Sequence, residues 1–344
     1  MERWQRVAFR RDGAGYRLAD AVLCAVLAGE WKVLEAAILA GIACELRSED
    51  EGSPLEDGEL AEAQRAFRYD RNLIAADEAQ DWLDGWELTA EDWSAALERQ
   101  LLRRHWAAEL AQVVEEYELE DEGLAEIAWA DLVCSGALEA LVQRLAERVA
   151  VVPTDDETPP VDGAATPDAL PPWLGISADE STVRRLAGII AVAAERRRQE
   201  LSPPKLRAAI AARPLDWTYV EAVRLVLPTE TMAAEAALRV REDGETLDEV
   251  GRDIGAPVEK WGGFLEAAEA GLRARLVSAS EGELLGPMRE AAGLALLQVI
   301  TRRAPAETDP VVRAHAERYV WSQAASRALE AIEWERPQPR SVSG

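Results

Sequence analysis

The stretch that decides the fold of the C-terminal part of the chain is "EGELLGPMREAAGLALLQVITRRAP", from Glu281 to Pro305. It contains two strand-like runs, 284–291 and 294–303, and the second is apolar and rich in β-branched residues. Gly293 lies between them, where a tight turn requires a residue without a side chain. Two such runs joined by small residues are typical of a β-hairpin, so we predict an antiparallel hairpin here.

The segment before this hairpin alternates between strand and helix signals. The run "WTYVEAVRLVL" at 217–227 has the composition of a strand, and Pro228 ends it. Thr229 then precedes "ETMAAEAALRVREDG" as an N-cap, and Thr246 and Glu249 form a capping box for a second, shorter helix. These signals predict a strand followed by two helices.

Between these helices and the hairpin, Trp261-Gly262-Gly263 predicts a tight turn, and a small helix follows over 266–280. The predicted order is therefore strand, helix, short helix, turn, helix, strand, strand. We predict that 215–304 forms an α/β domain with a small antiparallel sheet and flanking helices.

The N-terminal part predicts a different architecture. Residues 1–150 carry long apolar helical patterns, and Thr89 and Asp92 provide a capping box for one of these helices. The segment 151–173 is rich in proline and acidic residues, which predicts a flexible or extended linker. We therefore predict a helical module followed by a linker.

Helix resumes after the linker. The segment 174–214 predicts connecting helices, of which the first begins with a capping box of Ser177 and Glu180. A last long helix lies within 305–336. With the sheet domain, this organisation predicts an α+β protein.

Charge and composition restrict the function. The chain has 344 residues, enough for two or three domains, and a formal net charge of -26. This charge disfavours non-specific binding to nucleic acid or to an anionic membrane, since both require a basic surface. We expect neutral or cationic partners, no nucleic acid and no membrane.

Cysteine usage and the N-terminus indicate the compartment. Cys24, Cys44 and Cys134 lie in apolar helical runs without CxxC spacing, which is typical of core residues in a reducing compartment. The apolar run after the N-terminus is interrupted by Asp20 and Glu30, so we predict neither a signal peptide nor a transmembrane span. We expect a cytoplasmic protein.

Several fragments between Trp217 and Arg303 together resemble the parvulin peptidyl-prolyl isomerase domain. They are, in order, "VRLVLPTETMAAEAALRVREDG", "TLDEVGRDIG", "KWGGFL", "GELLGPM" and "GLALLQVITRR". Each fragment is weak by itself, and their order is more specific. The resemblance implies a twisted antiparallel sheet with helices packed on it.

The N-terminal part adds to this resemblance. The stretch "FRYDRNLIAADEAQDWLDGWELTAEDWSAALERQLLRR" resembles the helical module of SurA-like chaperones, in which a C-terminal helix packs back on that module. A helical module with a degenerate parvulin domain resembles the peptide maturation proteins of pathways that make ribosomally synthesised, post-translationally modified peptides, such as the crocagin pathway of myxobacteria. This resemblance implies that 305–336 packs on the N-terminal module.

The departures from the parvulin pattern concern its active site. The two positions that usually carry histidine fall on Arg224 and Ala295, and the Cys or Asp expected after the Gly-Gly pair has no counterpart. The two histidines of the chain, His105 and His315, lie in helical segments outside the resemblance. We therefore expect no isomerase activity and no enzyme.

The resemblance implies a peptide-binding groove with eight candidate residues. Arg224 is either a solvated strand residue or a group that binds a peptide carboxylate, and Met288, Leu294 and Ala295 line the groove or complete the core. A peptide could instead add as a strand along the hairpin. The candidates are Arg224, Leu225, Trp261, Gly262, Gly263, Met288, Leu294 and Ala295.

Other chemistry has weak signals. His105 and His315 lie in ordinary amphipathic helical patterns, the cysteines lack metal-ligand spacing, and no P-loop or dinucleotide fingerprint is present. We expect no metal and no cofactor. Four tryptophans of one helical region favour core packing over an aromatic peptide cleft; they are Trp82, Trp86, Trp93 and Trp106.

Three functions follow from these patterns. The first is a non-catalytic protein that binds a precursor peptide, through its leader alone or through leader and core, and presents it to modifying enzymes. The second is an active SurA-type isomerase and chaperone, and the third is a structural subunit that scaffolds an enzyme. The sequence is compatible with a homodimer but does not require one.

Overall fold

The computed structural model describes residues 2–117, 121, 123–153, 170–290 and 292–335. These residues form two compact units. The first contains the described residues up to Arg197 and those from Ala325 onward, and the second contains Arg198–Ala324. The architecture is α+β, as the sequence predicts, because helices dominate the first unit and an antiparallel sheet organises the second.

The first unit consists mainly of helices, with a short sheet. Its strands are β1 (Val7–Arg11), β2 (Ala14–Arg17) and β7 (Glu333–Trp334). Its helices are α1 (Leu18–Leu27), α2 (Trp31–Glu51), α3 (Glu59–Asp70), α4 (Ala76–Trp86), α5 (Ala90–His105), α6 (Leu110–Glu116), α7 (Leu124–Cys134) and α8 (Ala137–Val151). Helix α9 (Glu180–Glu200) begins in this unit.

The aromatic residues of the first unit pack in its core. Phe67 lies 5.2 Å from Trp82 and 5.7 Å from Trp93, measured between ring centroids. Trp86 contacts Trp129, which is fully buried and donates its indole N–H to the Trp86 carbonyl. These contacts agree with core packing for three of the four clustered tryptophans, while the fourth, Trp106, packs in a separate apolar cluster.

A hairpin that the sequence analysis missed opens the chain. Strands β1 and β2 pair antiparallel, and Asp12 and Gly13 connect them with positive φ angles of 51° and 79°. Two successive positive φ angles match a type I′ turn, for which Asp-Gly is a preferred sequence. Strand β7 pairs with the other edge of β1, where Phe9 is opposite Trp334. The N-terminal module is therefore not entirely helical.

The second unit is built on a four-stranded antiparallel sheet of order β4-β3-β6-β5. Its strands are β3 (Tyr219–Leu227), β4 (Val258–Phe264), β5 (Leu284–Glu290) and β6 (Gly293–Arg303). Its helices are α10 (Pro203–Ala212), α11 (Glu230–Leu238), α12 (Leu247–Ile254), α13 (Ala270–Leu276) and the first part of α14 (Pro310–Leu329).

The predicted hairpin of the second unit is confirmed. Strands β5 and β6 pair antiparallel, with Leu285 opposite Leu297 and Met288 opposite Ala295. Strand β6 is also paired with β3 along its other edge, so it lies inside the sheet. Of the two strands of the hairpin, β5 alone is at an edge of the sheet. A peptide strand can therefore add at β5 but not at β6.

Two local predictions are wrong. The Gly-Gly pair does not form a turn: Gly262 and Gly263 lie within β4, where the Tyr219 hydroxyl would be 3.0 Å from a Cβ atom at Gly262. A glycine in a strand interior often marks such a close approach. Asp179, not Ser177, caps α9, because its carboxylate accepts hydrogen bonds from Ser181 and Thr182, which lower the pKa of Asp179 to about 2.

The domain boundaries also differ from the prediction. Residues 154–169 of the predicted linker lie outside the described residues, but Leu170 is already buried in the core of the first unit. The first part of α9 packs in that core through Leu186, so 174–214 is not simply a connector. Helix α14 is divided: Val312 packs in the second unit and Leu329 packs in the first.

The three cysteines are free thiols, and the hydropathy of the helices bears on whether the chain can cross a membrane. Cys24, Cys44 and Cys134 are free and buried, and burial raises the pKa of each thiol, that of Cys134 to about 12. Within the described ranges, no helix combines the length and the apolarity needed to cross a membrane.

Substitution of Gly293 tests the hairpin that organises the second unit. Its φ angle is 142°, and a Cβ atom would lie 2.4 Å from the Leu227 carbonyl oxygen. We expect Gly293→Ala to lower the free energy of opening of β6 by about 3 kcal/mol, because both the backbone angle and the contact are unfavourable. Hydrogen exchange of β6 amides, followed by mass spectrometry, measures this change.

Gly282→Ala is the matched control. Gly282 also has a positive φ angle, 81°, but no atom lies within 4 Å of its Cβ position. We expect a loss of about 1 kcal/mol from the backbone angle alone. Equal effects of the two substitutions would contradict the close packing of Gly293 against Leu227.

Candidate functional site

A cavity of about 260 Å³ lies on one face of the sheet of the second unit. We call it the sheet-face cavity. Its walls come from β3, β4, β5, β6 and α13. Eight residues line it: Arg224, Glu259, Lys260, Trp261, Leu272, Met288, Glu290 and Leu297.

The alternation of side chains along β3 creates this site. Val223 and Leu225 pack on the face that α11 and α12 cover. Ala222 packs on the other face, with α13. Since neighbouring side chains of a strand point to opposite faces, Arg224 shares the face of Ala222. A charged side chain thus lies among apolar neighbours at the cavity.

The floor of the cavity is apolar. Leu297, which is 1% exposed, lies opposite Arg224 on β6. Met288, Leu272 and Trp261 are partly buried and pack against the same apolar cluster. These four side chains form a surface that can accept an apolar side chain of a ligand, because contact there removes apolar area from water.

Gly263, two residues after Trp261 in β4, does not line the cavity. A Cβ atom at Gly263 would lie 3.8 Å from the indole ring of Trp261, which is an ordinary van der Waals contact, so the packing of the indole does not require a glycine there.

The rim of the cavity carries one guanidinium and two carboxylates. Arg224 donates hydrogen bonds to Glu290 and to Glu259, and these contacts, that with Glu290 first, raise the pKa of the guanidinium. Lys260 borders the cavity but is opposite Val223, so its side chain is on the other face of the sheet. Because both carboxylates already bind Arg224, a peptide carboxylate would have to displace one of them. The rim therefore does not favour an anionic ligand.

The structure brings together three of the eight candidate residues, Arg224, Trp261 and Met288. Leu225 and Leu294 belong to the cluster on the opposite face, because they are one residue out of phase with Arg224 and Ala295 in their strands. The prediction that Leu225 and Leu294 line the groove is therefore wrong. Ala295 is fully buried opposite Met288 and does not line the cavity, and Gly262 lies under Tyr219.

The other five lining residues were not predicted from the sequence: Glu259, Lys260, Leu272, Glu290 and Leu297. Glu259 has a sequence signal, because it lies two residues from Trp261 and so shares its face. Glu290 and Leu297 depend on the register between strands, in which Leu297 is opposite Arg224. Leu272 comes from α13, and its approach to the sheet has no signal in the sequence.

None of the eight lining residues is a histidine, cysteine or serine; the ionisable ones are Arg224, Glu259, Lys260 and Glu290. His315 instead contacts Glu266 and lies 4.2 Å from Phe264, in a different cluster of the second unit. Among the described residues, no group of three or more histidine, cysteine, aspartate or glutamate side chains is placed to hold a metal ion.

Comparisons with known proteins do not assign the site. No protein-family model matches the chain, and no curated protein sequence matches it. The function is therefore inferred from the geometry of the cavity.

The charged rim should be dispensable for folding, in contrast to the floor. The side chain of Arg224 is 28% exposed and that of Glu259 is 62% exposed. Partly solvated ion pairs contribute little, so we expect Arg224→Met to cost about 1 kcal/mol or less. Leu297→Ala should cost about 2–5 kcal/mol, because it leaves a hole in the core. Hydrogen exchange of β3 and β6 amides measures both changes.

A loss of similar size for the two variants would contradict this assignment. In that case Arg224 would be part of the folding core rather than a residue of the binding surface.

Proposed function

We propose that this chain is a cytoplasmic, non-catalytic protein that binds a ribosomal precursor peptide and presents it to modifying enzymes. The observation that carries the proposal is the sheet-face cavity, where Trp261 and Met288 form an apolar surface beside Arg224. Pockets that bind peptides and small ligands commonly combine an apolar lining with a few polar groups.

The order of elements in the second unit supports the parvulin comparison on which this proposal draws. Strand β3 is followed by α11, α12, β4, α13, β5 and β6. This is the predicted order, with a strand in place of the glycine turn. The two positions that usually carry the parvulin histidines, Arg224 and Ala295, lie on the same sheet face, since Arg224 pairs with Leu297 two residues from Ala295.

The replacement of both parvulin histidines, by Arg224 and Ala295, favours binding without isomerisation. An enzyme must stabilise the twisted amide of the transition state more than the bound peptide. Arg224 is held by Glu259 and Glu290, and Ala295 has no polar group. The remaining lining can hold an apolar side chain but has no evident group for the twisted amide.

The charge of the site indicates the kind of segment that binds. The two rim carboxylates, of which Glu259 is the more exposed, face a ligand at the mouth of the cavity, and the chain has a net charge of -26. We infer that the bound segment places an apolar side chain in the cavity and carries basic groups beside it. The edge strand β5 adjoins the cavity through Met288 and can pair with the backbone of the same segment.

Calorimetric titration with a candidate precursor peptide from the genomic neighbourhood of this chain, divided into leader and core halves, tests the proposal. We expect the leader half to bind at micromolar concentration or below. Met288→Glu should weaken this binding at least tenfold, because it places a charge on the apolar floor. Met232→Glu is the matched control, since Met232 is 36% exposed on α11 and should leave binding unchanged.

Binding of neither half would overturn the proposal and would favour a subunit that scaffolds an enzyme. Equal affinities of the Met288 and Met232 variants would move the binding site away from the sheet-face cavity.

A prolyl isomerisation assay separates this function from that of an active SurA-type chaperone. Uncatalysed X-Pro isomerisation takes tens to hundreds of seconds, and we expect the protein not to shorten this time for a proline-containing test peptide. An acceleration that Arg224→Ala abolishes would establish an isomerase and would contradict the non-catalytic proposal.

A further inference from the structure

A second cavity, of about 270 Å³, lies within the first unit, and the peptide-binding proposal does not use it. We call it the helical cavity. Residues of α2, α5 and the α7–α8 region form its walls. Leu34, Ile38 and Leu132 supply apolar surface, and helix α5 supplies Arg99, Arg103, Arg104 and Gln100.

The first of these arginines is fully engaged. Arg99 is 4% exposed and binds Asp131 at 2.8 Å and Glu45 at 3.1 Å. Two carboxylates therefore surround one guanidinium, and this group has no positive charge to offer a ligand. Its role is to close one wall of the cavity and to hold α5 against α2 and α7.

The other two arginines are not neutralised in this way. Arg103 donates a hydrogen bond of 2.8 Å to the Ala37 carbonyl, and Arg104 donates one of 3.3 Å to the Gln100 carbonyl. Neither forms an ion pair with a carboxylate among the described residues, although acidic residues outnumber basic ones, 64 to 38, in the whole chain. Asp131 also lines the cavity and attracts Arg103, so the three guanidinium groups of Arg99, Arg103 and Arg104 face the two carboxylates of Asp131 and Glu45 and leave an excess of one positive charge at the cavity.

An amide donor lies beside them. The side-chain nitrogen Nε2 of Gln100 is buried and has no hydrogen-bond partner among the described residues. A buried donor without an acceptor is unfavourable. Because this nitrogen has almost no accessible surface, a ligand atom accepts its hydrogen bond when the Gln100 side chain turns toward the cavity, and that removes the cost. Gln100 is adjacent in α5 to the turn that carries Arg103 and Arg104, so the three donors line the same cavity.

We propose that the helical cavity binds a small carboxylate with an apolar chain. The carboxylate accepts hydrogen bonds from Arg103, Arg104 and Gln100, which is the chemistry that guanidinium groups favour. The apolar chain lies against Leu34 and Ile38. A volume of about 270 Å³ corresponds to about nine water-sized atoms at ~30 Å³ each, which suits an acid of about eight non-hydrogen atoms.

Two sources can supply this chemistry, a free short-chain acid and the C-terminal carboxylate of a peptide that ends in an apolar residue. The proposal does not rest on the peptide function, because no residue of the sheet-face cavity takes part. The probes are 4-methylpentanoate for the free acid and an acetylated Ala-Leu dipeptide for the peptide terminus. The amides of both compounds serve as uncharged controls.

Calorimetric titration of the full chain with the four compounds tests the proposal. We expect at least one acid to bind, and its amide to bind at least tenfold more weakly, because charge-assisted hydrogen bonds are lost. Tighter binding of 4-methylpentanoate identifies a free acid as the source, and tighter binding of the dipeptide acid identifies a peptide terminus. Absence of binding by both acids at millimolar concentration would overturn the proposal.

Substitutions of single arginines test whether the acid binds in the helical cavity. We expect Arg103→Gln and Arg104→Gln each to weaken the acid at least tenfold. Arg103 also donates a hydrogen bond to the Ala37 carbonyl, so the fold of the Arg103 variant is checked by circular dichroism. Among the described residues Arg104 donates to the Gln100 carbonyl of its own helix, so the Arg104 variant tests the site even if the Arg103 variant unfolds. Arg65→Gln, at an exposed position of α3, removes the same charge elsewhere and should have no effect. Equal affinity of the Arg104 and Arg65 variants would refute the site.

Discussion

The second unit depends on the pairing of β3 with a neighbour along each of its edges. Strands β4 and β6 satisfy its backbone hydrogen bonds, and its side chains are then divided between two faces. Leu225 and Leu227 pack under α11 and α12 on one face, while Val220 and Ala222 pack with α13 on the other. Helices α11 and α12 pack on one face of the sheet, and the short helix α13 packs on the other. The sheet-face cavity lies on the face of α13.

The proposal that the cavity binds a peptide without reacting rests on this arrangement. The cavity lies beside α13, on the part of the sheet that this helix leaves uncovered. Its polar groups come from three strands and form hydrogen bonds with one another: Arg224 donates to Glu259 and to Glu290. Arg224 therefore binds the two carboxylates of the rim, and a ligand that used either carboxylate would compete with the guanidinium. The apolar floor around Leu297 remains the part of the site that a ligand can use.

In the first unit, long helices pack around a buried arginine and its carboxylate partners. Arg99 lies between α2 and α7, where burial raises the pKa of the Asp131 carboxyl and the guanidinium opposes that rise. Gly41 permits this approach, since its Cβ position is 3.4 Å from Arg99 Cβ. A buried ion pair is weak evidence for stability, but its directed hydrogen bonds fix the relative positions of the helices.

Elements with local signals could be predicted from the sequence. The hairpin of β5 and β6, strand β3, and the caps at Thr89, Thr229 and Thr246 follow from turn residues, alternation and capping. Three features could not be predicted in this way: Gly262 and Gly263 extend within β4, Leu225 faces away from the cavity, and Leu272 reaches it. Strand register, cross-strand contacts and the packing of helices on the sheet depend on residues distant in sequence, so a local pattern does not contain them.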